Sequence, residues 1–155
     1  MTAPALPSVA TGTGEAPACL AWAPDGLSLA CGDLAGGVDW LEARPHQSLR
    51  RLAGTVAHPG GTTTLAWQPD RCVLATGGID GTARLWSLTD QGPVERLTLL
   101  GLPEGWAALA PDGRYKREGD VGGQFWHVIG MCRFEAGDLN QYLPDVQQLP
   151  PDVPF

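Results

Sequence analysis

The segment Ala18-Cys19-Leu20-Ala21-Trp22-Ala23-Pro24-Asp25 returns 45 positions later as Thr63-Thr64-Leu65-Ala66-Trp67-Gln68-Pro69-Asp70. The shift then persists without a gap. Leu29-Ala30 matches Leu74-Ala75, Gly32 matches Gly77, and Gly36 matches Gly81. Two successive copies of one supersecondary unit account for this pattern, and neither copy can bury its apolar face alone.

Each copy reads as short strands. In the second, Thr64-Leu65-Ala66-Trp67 is an apolar strand ended by the Pro69-Asp70-Arg71 turn, where Pro pre-sets φ and Asp can bond nearby amides. Val73–Gly78 is a second strand, and Asp80-Gly81 is a two-residue hairpin signal because both positions tolerate positive φ. Thr82–Ser87 returns as a third strand. Val94–Leu99 is a fourth, after the Gln91-Gly92-Pro93 turn. The abundance of chain-reversing residues, 21 Gly and 14 Pro in 155, suits many short strands and disfavours a helical bundle.

The run from His58 through Leu65-Ala66-Trp67-Gln68-Pro69-Asp70 to Leu74-Ala75-Thr76-Gly77-Gly78-Ile79-Asp80-Gly81-Thr82-Ala83-Arg84-Leu85-Trp86 resembles a complete WD-repeat unit. The resemblance covers about a third of the chain. It implies an all-β fold, a partial β-propeller of four-stranded blades, of a family used mainly as a platform for protein partners. It also implies that His58, Thr76, Asp80 and Trp86 form a structural, hydrogen-bonded tetrad. Such a network satisfies polar groups that burial would otherwise leave unpaired.

The first copy departs from this pattern: Thr13 stands for His58, Ala35 for Asp80 and Leu41 for Trp86, with Trp40 one step early. Blade one is therefore expected to lack the tetrad and to be held by apolar packing, with its outer strand in Gln47–Ala53. A weaker echo begins at Gly105-Trp106 and repeats the Pro111-Asp112-Gly113 turn, followed by a strand over Gln124–Gly130. This last part resembles the closing segment of some bacterial multidomain WD-repeat proteins. The expected organisation is a flexible start (1–16), a degenerate blade (17–55), a WD-type blade (56–100), and a degenerate blade or capping segment (101–155). That last segment is expected to carry a short helix capped by Asp138, with Leu139, Tyr142 and Leu143 on one face. An extended tail from Leu149 to Phe155 follows, with Leu149 or Phe155 able to dock in a groove.

Charge excludes some functions. The formal net charge is −7, and Arg114-Lys116-Arg117 sits among Asp112, Glu118 and Asp120, so no cluster suits a phosphate backbone. The start has no basic region and no apolar run, so it does not read as a secretory signal, and no stretch has the length needed to cross a bilayer. Cys19, Cys31, Cys72 and Cys132 form no C-x-x-C pair and read as buried free thiols of a cytoplasmic protein. The His and Cys spacings match no zinc pattern. Cys72 with His58 is a poor nucleophile–base pair, because Cys72 sits in a turn where the first copy has Leu27. The Asp residues after Pro are turn-formers before they are bases. Among six tryptophans, Trp22 and Trp67 read as equivalent core positions and Trp86 as a tetrad member. Trp40, Trp106 and Trp126 break the register and are the candidates for a contact surface, against the plainer reading of core packing.

A propeller closes with four or more blades, and this chain supplies two and a partial third. Open edges and apolar faces invite association, so the repeats are expected to be completed by a protein partner or by self-association. The leading expectation is a non-catalytic interaction or assembly scaffold without cofactor, metal, nucleic acid or membrane, the C-terminal piece of a larger propeller. The alternative is a regulatory or sensor end-piece of a bacterial multidomain signalling protein.

Overall fold

The computed structural model describes residues 12–45, 47–143 and 145–155. The chain divides into two compact units, Met1–Val94 and Glu95–Phe155. In the first, β1 (Pro17–Trp22), β2 (Ser28–Asp33), β3 (Gly37–Glu42) and β4 (Arg50–Val56) form an antiparallel sheet in chain order, the first blade. The outer strand β4 thus begins three residues after the expected Gln47. The second copy provides β5 (Thr62–Trp67), β6 (Val73–Gly78) and β7 (Thr82–Thr89), also antiparallel in chain order.

The sequence repeat is a structural repeat down to its irregularities. Ala21 pairs Ala30 and Trp22 pairs Leu29, while Ala66 pairs Ala75 and Trp67 pairs Leu74. The register shifts between Pro17 and Cys19 in one blade and between Thr62 and Thr64 in the other. The Pro-Asp turn of the first copy works through its carboxylate. Asp25 Oδ1 accepts from the amides of Leu27 and Ser28, both at 2.8 Å. Such local bonds favour the turn over continued strand.

Side chains alternate across a strand, so each blade has two faces. Ala30, Val38 and Trp40 of blade one meet Leu74 and Trp86 of blade two in a buried cluster, with Leu65, Trp67 and Leu88 packed against it. Leu29, Cys31 and Leu41 form a smaller cluster on the opposite face of blade one, with Leu49 against it. Close backbone approach also ties the blades: Gly36, at φ 93°, offers its carbonyl to the amides of Ala57 and His58. A Cβ there would lie 1.8 Å from the His58 carbonyl oxygen.

Strand β8 (Gly92–Leu102) contains the expected Val94–Leu99 segment and leads into the second unit. It turns tightly into β9 (Glu104–Leu109), which pairs with β10 (Tyr115–Asp120). A separate hairpin joins β11 (Trp126–Ile129) to β12 (Cys132–Glu135). Tyr115, Phe125, Ala107 and Val121 are buried together, and the Tyr115 and Phe125 rings meet edge to face at 5.4 Å.

The expected helix after Asp138 is absent; the described residues hold no helix. Asp138 Oδ2 reaches backward, accepting from the amide of Glu135 at 3.0 Å, so it caps no forward amide. One isolated bond, Leu143 to Leu139 at 2.9 Å, closes a single turn. A single turn does not repay helix nucleation. The tail does dock: Tyr115 donates to Gln147 and accepts from Leu149, at 2.9 and 2.8 Å. Lys116 Nζ bonds the Pro151 carbonyl at 3.0 Å and lies over the Phe155 ring.

Candidate functional site

Blade two brings His58, Thr76, Asp80 and Trp86 together. His58 is fully buried on the loop between β4 and β5, Thr76 lies mid-strand in β6, Asp80 in the β6–β7 hairpin, and Trp86 on β7. Trp86 Nε1 donates to Thr76 Oγ1 at 3.0 Å, and Thr76 Oγ1 lies 2.7 Å from His58 Nε2. His58 Nδ1 is 3.0 Å from Asp80 Oδ1.

The indole can only donate, which leaves the Thr76 hydroxyl proton for His58 Nε2. The imidazole proton is then on Nδ1 and points at Asp80, the tautomer assigned by the network. Thr82, which the sequence reading left out, adds its amide and hydroxyl to Asp80 Oδ1 at 3.0 and 2.9 Å. Partial burial pushes the Asp80 carboxyl up, but the Thr82 and His58 bonds outweigh it and hold it below its ordinary value. Gly78 makes room for this ring: a Cβ there would lie 2.3 Å from His58 Cγ. Both ring nitrogens of the imidazole are hydrogen-bonded within the blade, and the ring is fully buried.

Blade one is not held by apolar packing alone. Asp33, fully buried, stands at the repeat position of Gly78. Its Oδ1 accepts from the Gly37 amide at 2.7 Å and its Oδ2 from the Thr13 hydroxyl at 2.5 Å. Thr13 is the counterpart of His58, and Gly37 that of Thr82. The carboxylate has moved from the hairpin to the strand end and still meets the same backbone amide. A second buried carboxylate, Asp39, accepts from Arg51 Nε at 2.8 Å and from the Gly12 amide. The sequence signal was present: Asp33 replaces a glycine where the repeat otherwise holds.

The tryptophans separate. Trp40 is 1% exposed, which rules it out as a contact surface. Standing one position before the counterpart of Trp86, it points to the opposite face, because side chains alternate along a strand. That face meets blade two, and the Trp40 and Trp86 rings lie edge to face, 6.4 Å apart. Its Nε1 has no hydrogen-bond partner among the described residues. Trp106, 36% exposed, donates to Glu118 Oε2 at 3.3 Å, and Trp126, 42% exposed, lies under the Arg133 guanidinium.

Trp22 and Trp67 were expected as equivalent core positions but differ. Trp67 packs on the interblade cluster and donates through Nε1 to the Ala21 carbonyl at 3.1 Å. Trp22 is 59% exposed, and Leu20 beside it is 60% exposed. Their counterparts have blade one in front of them. Among the described residues, nothing covers Leu20 and Trp22 in the same way.

The cysteines are free, but the expectation that all are buried fails: Cys72 and Cys132 are exposed, Cys19 is half-buried and Cys31 buried. Cys72 lies in the β5–β6 turn, where no sheet covers it. It borders a cleft of about 430 Å3 with Pro24, Trp67, Pro69 and Arg71. His58 bonds within its own blade, so no nucleophile–base pair forms with it. Among the described residues, no group of three His, Cys, Asp or Glu is placed to hold a metal ion. No helix is long and apolar enough to cross a membrane.

Residues 48–87 match the WD40 family, described as WD domain, G-beta repeat. A probable cytosolic iron-sulfur protein assembly protein 1 from Cryptococcus neoformans is 32% identical over 88 residues, 46% of this chain and 20% of that protein. WD repeat-containing protein 1 from Bos taurus is 26% identical over 81 residues, 52% of this chain and 13% of that one. The chain therefore spans about a fifth or less of the length of these curated relatives. The crystal structure of the RRP9 WD40 repeats aligns with a TM-score of 0.46 at 21% identity, covering 60% of this chain and 33% of that one. These relatives lend no support to a bacterial sensor end-piece.

Proposed function

We propose that this chain, a member of the WD-repeat propeller family, serves as a non-catalytic protein-interaction and assembly scaffold. The observation that carries the reading is the open apolar face of β1. Leu20 and Trp22 are exposed, while their repeat counterparts Leu65 and Trp67 are packed against a neighbouring blade. Covering two large side chains is worth on the order of 2–4 kcal/mol, and an indole supplies both apolar area and a donor to a partner. The tetrad supports the same reading: its polar groups are spent on holding the blade, leaving the rigid sheet as the platform. Four free thiols fit work in a reducing compartment, the cytoplasm.

A photo-crosslinking amino acid at position 20 tests this in cells that naturally make the protein. The expected product is a covalent adduct with a protein, identified by mass spectrometry. Irradiation that yields no protein adduct at this position would overturn the scaffold reading.

A further inference from the structure

We propose that the outer edge of β10 is a docking site for an extended, acidic segment of a partner protein, and that the chain's own Gln147–Phe155 segment holds this site only loosely. The proposal rests on the second unit alone and goes beyond the Leu20–Trp22 face.

Strand β10 is the outermost strand of its sheet. Its register against β9 pairs Tyr115 with Leu109, Lys116 with Ala108 and Arg117 with Ala107. Backbone bonding alternates along an antiparallel pair, so Arg117 turns its N–H and C=O to the same outer side as Tyr115. At Tyr115 that side is filled. Gln148 lies beside Tyr115 in parallel. The Tyr115 amide donates to the Gln147 carbonyl at 2.9 Å, and the Leu149 amide donates to the Tyr115 carbonyl at 2.8 Å. An extended peptide adds to a sheet edge through bonds of this kind.

The ladder stops after this one residue. The next rung of a parallel pair needs an N–H at position 151 to reach the Arg117 carbonyl, and position 151 is proline, which has none. The segment turns instead, with the Val153 amide donating to the Pro150 carbonyl at 3.2 Å. Among the described residues, its backbone makes no bond to Arg117. Prolines blunt an edge against pairing, but they leave the rung at Arg117 open. A partner segment with an N–H at that place forms both rungs and displaces one that forms a single rung.

Charge selects the partner. Lys116 spends its ammonium on the Pro151 carbonyl and the Phe155 ring. Arg117 Nε donates to the neutral side chain of Gln148 at 3.2 Å. An acidic residue in the place of Gln148 turns that contact into a charge-assisted bond.

The probe is a fluorescein-labelled peptide of residues 146–155 carrying Gln148→Glu, Pro150→Ala and Pro151→Ala, read by fluorescence anisotropy against the intact chain. A tethered segment competes at an effective concentration on the order of millimolar. Leu149→Pro removes the donor to the Tyr115 carbonyl, so this chain should bind the probe about tenfold or more tighter than wild type. Pro150→Ala with Pro151→Ala in the chain should close the second rung and weaken probe binding. Amide exchange followed by NMR reads the edge itself: the Arg117 amide should gain protection in the probe complex and in the double-alanine chain. A Gln148→Lys probe should bind severalfold more weakly. Circular dichroism melts check folding, and Leu149→Ala replaces Leu149→Pro if the latter unfolds. Equal probe binding by all three chains, no binding to a folded Leu149 variant, or an Arg117 amide left unprotected would each overturn the proposal. So would a wild type that dimerises in sedimentation velocity while Leu149→Pro does not, because exchanged segments of a second copy would then hold the edge. Any of these results leaves the crosslink at position 20, and with it the scaffold reading, untouched.

Discussion

Asp33 in blade one and Asp80 in blade two accept equivalent backbone amides, those of Gly37 and Thr82, from positions two residues apart in the repeat. A carboxylate at this corner is thus retained while its origin on the chain moves. Its partner changes with it: a threonine hydroxyl faces Asp33 and an imidazole faces Asp80. Restoring the blade-two residue in blade one, Asp33→Gly, should therefore destabilise. The loss should be about 1–3 kcal/mol, because the buried amide of Gly37 and the Thr13 hydroxyl lose their acceptor. Thermal or urea denaturation reads the change, and an unchanged midpoint would show that the relocated carboxylate does not hold the blade.

In blade two, Asp80→Ala should cost a similar amount, about 1–3 kcal/mol, by stranding the His58 Nδ1–H and the Thr82 groups. The pH dependence has a definite sign. The folded Asp80 carboxyl is held below its ordinary value of 3.8. Its contribution is therefore complete above that value and is lost as pH falls through the lower folded one. Melting curves of wild type and Asp80→Asn should be separated at neutral pH and converge in acid. A constant separation would contradict the network.

Trp40 and Trp86 should respond differently to the same substitution. Trp86→Phe leaves Thr76 without its donor, whereas Trp40→Phe removes a buried indole N–H that has no partner among the described residues. Trp86→Phe should be the more damaging by about 1 kcal/mol or more, while Trp40→Ala should cost roughly 3–5 kcal/mol through the cavity it leaves. Equilibrium unfolding of the three variants gives the ranking.

Gly78→Ala tests how tightly the imidazole is held. The added methyl meets the His58 ring well inside contact distance, so the ring must shift and its bonds to Thr76 and Asp80 lengthen. A loss of about 1–3 kcal/mol is expected. The His58 ring-nitrogen NMR signals should move with it.

The thiols differ in reactivity. Burial, then the Asp39 charge, pushes the Cys31 thiol up to about 11, and the thiolate is the reactive form. Iodoacetamide should label Cys72 and Cys132 in the native protein and reach Cys31 only on unfolding; mass spectrometry of digests reads the order.

The sequence by itself determined the repeat, and with it the strands, their turns and the four residues of the blade-two network. These follow from local chemistry: period-two alternation, Pro-Asp and Asp-Gly turns, and a fixed 45-residue shift that carries the register. Tertiary structure alone decided which face each apolar residue meets. Trp40 is buried because its strand face meets another blade, while Trp22, at the repeat position of Trp67, is exposed because no described strand packs on it. It also decided that Asp33 belongs to a buried network, since its acceptor role depends on the amide of Gly37 and a hydroxyl twenty residues earlier. The short helix expected after Asp138 failed for a local reason: its carboxylate accepts from the Glu135 amide three residues behind it. A repeat specifies what each unit buries, but not whether a neighbour is there to bury it.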